Sequence, residues 1–291
     1  MLNDLLELYR WTIPAGILFA GLLSLLGTQL AARDRAMQTV CVSQGAMLGV
    51  LLALGLSQTL THDDPSSHTF PTLLSFLLAL ISFGFTNFLV DHSSGSKNAI
   101  FAAVFALLLS LGYLISAVFP ALESHMAQVY FGDLATLSEF DSKLTLALAA
   151  FGLASFAFLW KPITDQSFEL AIFGRNASRH RLNVKVSLFN FFTLATLCFS
   201  VQFLGFLFTI SCLFLPTTIL TFSGQKTLAS HLSSSLLVAM MGALTGFIAS
   251  LQNTRLPTVP SIVICITFFG LLVVPATGGL RSFLPRTRQE G

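Results

Sequence analysis

Charge is what this sequence has least of. Only 10% of its 291 residues are Asp, Glu, Lys or Arg, and 54% are hydrophobic, with a mean hydropathy of +0.79. An ordinary soluble domain carries about 25% charged residues. That excludes a soluble domain and makes the class a polytopic membrane protein. Cysteine is scarce too. Cys41, Cys198, Cys212 and Cys265 all fall in apolar runs, so they read as small apolar fillers and exclude a disulfide framework. No G-x-x-x-x-G-K-[ST] or other nucleotide cradle occurs, so any ATP that drives this protein is hydrolysed on another chain. No Ser/His/Asp or Cys/His set stands at a nucleophile spacing. The interiors of the apolar runs hold no Asp, Glu, Lys, Arg or His. An intramembrane enzyme or an ion-coupled carrier needs such groups near the midplane, so both classes lose ground. The chain is read as a non-enzyme that binds no cofactor of its own, and no nucleic acid is expected as a partner.

What the sequence does have is long apolar runs. Lipid leaves only helices or closed barrels as spanning structures. Runs of roughly 20 residues fit helices, and lack the short alternating pattern of barrel strands. The expected fold is therefore all-α, one helical bundle of about eight or nine transmembrane helices forming a single domain over 1–291. Spans are expected at about 11–30, 40–60, 69–90, 99–120, 144–160, 231–251 and 258–275. The run 186–222 is about 55 Å long at 1.5 Å per residue, too long for one crossing of a ~30 Å core. It is expected to divide near Gln202–Gly205, and Pro216 to kink or break its second half. Span 1 follows a segment with no basic n-region and no small-residue cleavage site, so it is expected to be retained. Segment 121–143 is too polar to span and apolar enough to lie against the membrane or dip into the bundle. Gly45/Gly49 and Gly242/Gly246 are small-xxx-small pairs that let a second helix approach closely.

The basic residues are distributed unevenly. Arg33, Arg35, Lys97, Lys226, three Arg of the tail and five basic residues of 161–185 fall on one side of a nine-span topology; Arg10, Lys143 and Arg255 fall on the other. The positive-inside rule then puts the C-terminus in the cytoplasm and the N-terminus outside. Segment 161–185 is the longest polar interruption on the inner side. It can form a short amphipathic helix with Ile163, Phe168, Ala171 and Ile172 as its apolar residues and a Gly174-Arg175-Asn176 break behind. The outer loops are rich in acids, which suits attraction of cations or of a basic docking surface, or only solubilises the loops.

The polar residues inside the spans are Ser43, Gln44, Ser57, Gln58, Asn87, Asn190 and Gln202. Interhelical hydrogen bonding is the ordinary use of such groups. Gln44 stands apart, because it precedes the Gly45/Gly49 pair and lies near a close-packed face where a pathway can run. In the loop at 61–68, His62, Asp63, Asp64 and His68 bring nitrogen and oxygen ligands together, which suits transient capture of a divalent metal or simply a solvated turn.

Four segments together resemble the metal-type (zinc, manganese, iron) ABC-3 permeases, the membrane subunits of ATP-binding-cassette importers. GTQLAARDRAMQTVCVSQGAMLGVLLAL (27–54) is similar to that family's first loop and second span. YFGDLATLSEFD (130–141) is similar to its outer Phe-Gly-Asp segment. TDQSFELAIFG (164–174) resembles its coupling helix, and VQFLGFLFTISCLFLPTTIL (201–220) its Val-Gly…Leu-x-x-Pro-Ala segment. The order and spacing hold over most of the chain.

The resemblance implies an importer permease working by alternating access. Two copies would form the pathway, with an ATPase on the inner side, an extracytoplasmic substrate-binding protein outside and a divalent transition metal as cargo. It implies ATPase coupling through Thr164, Asp165, Phe168, Glu169, Ala171 and Gly174, docking of the binding protein near Asp133, Glu139 and Asp141, and Cys41, Gln44 and Met47 as pathway residues. The sequence also departs from the family. The Asp and the His one turn later that the family carries in its second span fall on Val40 and Gln44 here, and the Asp-Pro-Glu of the coupling helix is not intact. A permease-like scaffold without a metal pathway, or a cargo such as a metal chelate, therefore stands as the alternative.

Overall fold

The structure, a computed structural model, describes residues 7–60, 69–93, 96–122, 126, 129–132, 134–178, 184–223, 227–252 and 256–276. Every regular element among them is helical. The helices are α1 (Thr12–Ala32), α2 (Ala36–Leu60), α3 (Thr69–His92), α4 (Lys97–Val118), α5 (Glu139–Ser178), α6 (Val184–Leu204), α7 (Phe206–Leu220), α8 (Leu228–Gln252) and α9 (Thr258–Ala276). Eight are long and apolar enough to cross a membrane; α7, with 15 residues, is the short one. Two 3-10 turns, Pro120–Leu122 and Leu134–Thr136, lie in the segment between α4 and α5.

Burial ranks the helices. In α1 and α2, 72% and 78% of the apolar window is buried, against 28% in α3 and 22% in α4, so the first two are the most enclosed of the spanning helices. A helix apolar on all sides belongs in such a place. The outward faces of α3, α4 and α5 carry Leu73, Leu77, Phe88, Leu114, Phe151 and Phe158, all exposed. Apolar surface on that scale is what a lipid-facing helix presents.

The predicted close approaches are present. A Cβ on Gly45 would strike Ser82, and one on Gly49 the backbone of α3 at Leu74 and Ser75. Gly242 and Gly246 lie equally close to the backbone of α9 at Ile266 and Ile262. Hydroxyls supply the polar contacts between helices. Ser24 of α1 and Ser235 of α8 are 2.6 Å apart, and Thr28 and Thr217 are 3.1 Å apart, all four buried.

α1 and α5 run parallel in a fixed register. Thr12 pairs with Ser142, Leu22 faces Gly152, and Arg33 pairs with the Ile163 carbonyl. The sequence offset is the same at all three levels, so the two helices stay side by side across the whole span.

The long run divides at Gly205, where it was expected to. Gly205 has φ +87° and ψ 162°, a conformation that only glycine adopts without strain. Ser200 and Thr209, one on each side of the break, have hydroxyls 2.7 Å apart. A straight helix would separate them by about 13 Å, so the chain doubles back and α7 returns alongside α6. Pro216 does not end α7, which runs through it to Leu220. Lost backbone bonds at a membrane proline are made good by neighbouring groups.

The larger correction concerns segment 161–185. No separate short helix and no break at Gly174-Arg175-Asn176 are present: α5 continues from the membrane through Pro162 to Ser178 as one 40-residue helix. One Gly costs a helix only about 1 kcal/mol, too little to terminate it. The expected loop is a helical extension over 161–178, and 179–183 lie outside the described residues.

Candidate functional site

α5 leaves the core at the end of the bundle that holds the α1–α2 turn, the end expected from its basic residues to be the inner one, with the opposite end as the outer. Thr164 and Asp165, on the turns after Pro162, are half-buried and exposed respectively. Phe168, Glu169, Ala171 and Gly174 continue the same helix, and their side chains lie outside the described residues. The root of this extension is held from the α1–α2 turn. Arg33 Nε donates to Ser167 Oγ at 2.9 Å, and Arg33 Nη2 donates to the Ile163 carbonyl at 3.0 Å. Ser167 Oγ in turn donates to Gln29 Oε1 at 2.7 Å. The guanidinium also sits 3.9 Å from the centre of the Phe189 ring of α6. Burial, and secondarily Arg35, lowers the pKa of Arg33 to about 10, so it is charged at neutral pH. In the sequence Arg33 is one of several basic residues beside a span. Its burial becomes visible only once α1 and α5 are in register.

Beside this root, a second set of polar groups joins α2, α3 and α6. Arg35 Nη1 donates to Asn190 Oδ1 at 3.2 Å, and Gln38 Nε2 donates to Thr86 Oγ1 and Asn87 Oδ1 at 3.2 and 3.1 Å. A cavity of ≈ 30 Å³ lies among Leu30, Gln38, Thr39, Phe83, Asn190 and Thr193. That is room for a water molecule or two.

The middle of the bundle holds the three predicted pathway residues, Cys41, Gln44 and Met47, all fully buried. They do not share one role. Cys41 Sγ donates to the Phe101 carbonyl of α4 at 3.1 Å, and Met47 belongs to the main apolar core. Gln44 differs: both its amide atoms are buried with no hydrogen-bond partner, as is the Ser43 hydroxyl. Leaving one such group unpaired costs roughly 1–3 kcal/mol. Of the other polar span residues, Asn87, Asn190 and Gln202 make the interhelical bonds expected of them; Gln202 accepts from Thr72 at 2.8 Å.

At the outer end, the segment between α4 and α5 dips into the bundle. Leu122 and Leu134 are fully buried. Tyr130 stacks on Tyr113, and its hydroxyl, buried and unpartnered, points toward Gly112. Burial raises the Tyr130 pKa, and the nearby Gln44 amide pulls the other way. Gly132, with φ +73°, lies directly against Leu204 and Gly205 at the α6–α7 break. No single-sequence signal pairs these two glycines, because their contact joins segments far apart in the chain.

The acids expected to dock a partner are placed unevenly. Glu139 is exposed and bridges Lys143 at 2.8 Å and Arg10 at 3.7 Å. Asp141 accepts from Ser138 Oγ at 2.7 Å at the start of α5. Asp133, and the loop residues His62, Asp63, Asp64 and His68, lie outside the described residues. Among the described residues, no three His, Cys, Asp or Glu side chains gather in a metal-binding group.

The family model for the ABC 3 transport family matches residues 6–276. No curated protein matches the chain by sequence. Among solved structures, PsaBC from Streptococcus pneumoniae in complex with Fab is similar at TM-score 0.76 and 15% identity, over 97% of this chain and 99% of the other. At that identity the likeness speaks for the fold.

Proposed function

The chain belongs to the ABC 3 transport family, a multi-pass membrane transport subunit, and from that premise we propose that it imports a divalent transition metal, zinc, manganese or iron. In this reading two copies form the pathway by alternating access. Each carries an ATPase on the α5 extension at Thr164, Asp165, Phe168, Glu169, Ala171 and Gly174. A substrate-binding protein docks outside near Asp133, Glu139 and Asp141. The N-terminus lies outside and the C-terminus in the cytoplasm, and ATP is bound only by the partner.

The observation that supports this most is the unbroken α5. A 40-residue helix beginning at the outer acids and ending 13 residues beyond Asp165 at Ser178 is a lever. Force applied by a partner at 164–178 reaches the membrane without an intervening loop. A rigid element of this kind suits rocking of helices about a fixed pathway. Deleting 164–174 tests the reading: the parent should retain its ATPase through detergent purification, and the deletion should lose it. Capture of the ATPase by both proteins would refute it.

A second reading has its own observation. The positions where related permeases carry Asp and His hold Val40 and Gln44, and the middle of the span has no charge to offset a bare divalent cation. A dehydrated cation is costly in such surroundings. The alternatives are a cargo that brings its own ligands, such as a metal chelate, or a scaffold subunit that transports nothing. Uptake of radiolabelled manganese or zinc into vesicles, compared with uptake of the chelated metals, separates the three.

A further inference from the structure

The turn between α1 and α2 contains only Arg33, Asp34 and Arg35, and its two arginines reach different helices. Asp34 has φ +55°, a left-handed conformation that few residues other than Gly, Asn and Asp adopt readily. That reversal lets Arg33 point to α5 while Arg35 points to α6. Arg33 holds the turn immediately after Pro162 through Ser167 and the Ile163 carbonyl, and lies over Phe189. Arg35 bonds Asn190, one residue beyond Phe189 on α6. Gln29, one turn before Arg33 on α1, closes the set on Ser167.

Two features set this apart from ordinary packing. Arg33 is 9% exposed, and no carboxylate pairs with it among the described residues. A buried charge without a counter-ion is tolerated only where several hydrogen bonds satisfy it, and here α5 supplies them. In addition, the flat, forked guanidinium fits one arrangement of its acceptors, which makes the contact specific to one placement of α5 against α1.

We propose that Arg33-Asp34-Arg35 is a positioning latch that makes α6 follow the α5 extension and the α1 packed beside it, so that displacement of 164–178 is delivered across to α6. Arg33 contacts neither cargo nor ATP; it acts through α5. The proposal rests on the reading that an ATPase docks on that extension.

Arg33→Gln keeps a polar side chain but cannot satisfy both acceptors and carries no charge for Phe189. The parent and R33Q complexes are reconstituted with the ATPase, and uptake of radiolabelled manganese or zinc is measured together with ATP hydrolysis. R33Q should retain the ATPase and go on hydrolysing ATP, with metal uptake per ATP lowered tenfold or more. In the permease alone, amide exchange at 163–167 should quicken in R33Q. A general loss of folding lowers uptake and hydrolysis together; a broken latch lowers their ratio. If R33Q does not reach the membrane, Ser167→Ala decides the matter, with a smaller fall in the same ratio. A parental ratio in the folded variant overturns the latch alone. A parent that captures no ATPase removes the function reading, and the latch's role with it.

Discussion

Gly205→Ala is the most demanding test of the packing. Gly205 joins α6 to α7 with no intervening loop, at φ +87° and ψ 162°. An Ala held there stays in a region populated almost only by glycine, at a cost of about 1–3 kcal/mol. Its methyl would also run into the Gly132 backbone, which is not the end of a flexible side chain and cannot simply swing aside. Overpacking of that kind costs roughly another 1–3 kcal/mol. The two penalties share one cause of relief, a shift of the outer segment away from the break, so they do not simply add. A loss of about 2–5 kcal/mol is expected. Thermal or SDS unfolding of the purified protein in detergent measures it. Gly84→Ala is the control: it lies in α3 with nothing within 4 Å of its would-be Cβ, and should be neutral or slightly stabilising. If G205A matches G84A, the Gly132–Gly205 contact does not anchor the outer segment, and the reasoning about that end of the bundle fails.

Other outcomes follow from the same geometry. Gln44→Leu removes two buried polar atoms that make no bond of their own but leaves the neighbouring Tyr130 hydroxyl facing an apolar side chain, so it should raise stability by no more than about 1 kcal/mol in the same unfolding assay while lowering metal uptake if Gln44 contacts cargo; parental uptake in the folded variant places Gln44 outside the pathway. Gly246→Leu drives a side chain into the α9 backbone at Ile262 and should cut the yield of folded protein sharply, whereas a parental yield contradicts the close α8–α9 crossing. Ser24→Ala breaks one hydroxyl contact between α1 and α8 and should cost only about 0.6 kcal/mol, detectable as a small lowering of the unfolding midpoint.

The helices, their order and the Gly205 division were legible in the sequence because each depends on local composition: an apolar run of spanning length, or a run too long for one crossing. The small-xxx-small pairs were legible for the same reason, since glycine spacing on one helix already describes a flat face. The α5 extension is not legible in the sequence because Gly174 and Asn176 each cost a helix only about 1 kcal/mol or less, too little to mark its end, and the helix runs on through Pro162. Arg33 could not be found that way. A basic residue beside a span normally marks the inner interface, and only the common offset of Thr12–Ser142 and Arg33–Ile163 turns it into a buried contact. Gln44 stands out in the sequence for its neighbours, but its place beside the Tyr130 hydroxyl, near yet not bonded, depends on how the outer segment enters the bundle.

The distribution of packing suggests where the bundle gives way. α1 packs against α5, α7 and α8, and α9 against α7 and α8, so these five form one block. α2 packs mainly on α3 and α4, which form a second. Between α1 and α2 themselves there is little contact besides their shared turn, and α6 touches both blocks. Along α6 the seam combines apolar packing, with Phe76 of α3 edge-on to Phe191 and one apolar core running through α1, α2, α3, α6 and α7, with polar bonds at Arg35–Asn190 and Thr72–Gln202. Such bonds can be exchanged for water or for new partners at small net cost, whereas an interdigitated apolar face cannot slide without opening voids. The α1–α2 turn links the blocks covalently, as does the segment between α4 and α5, and it also holds α5. The ratio of uptake to hydrolysis in R33Q measures how much of a displacement entering through α5 passes through that turn and how much through the packing of α1 on α5.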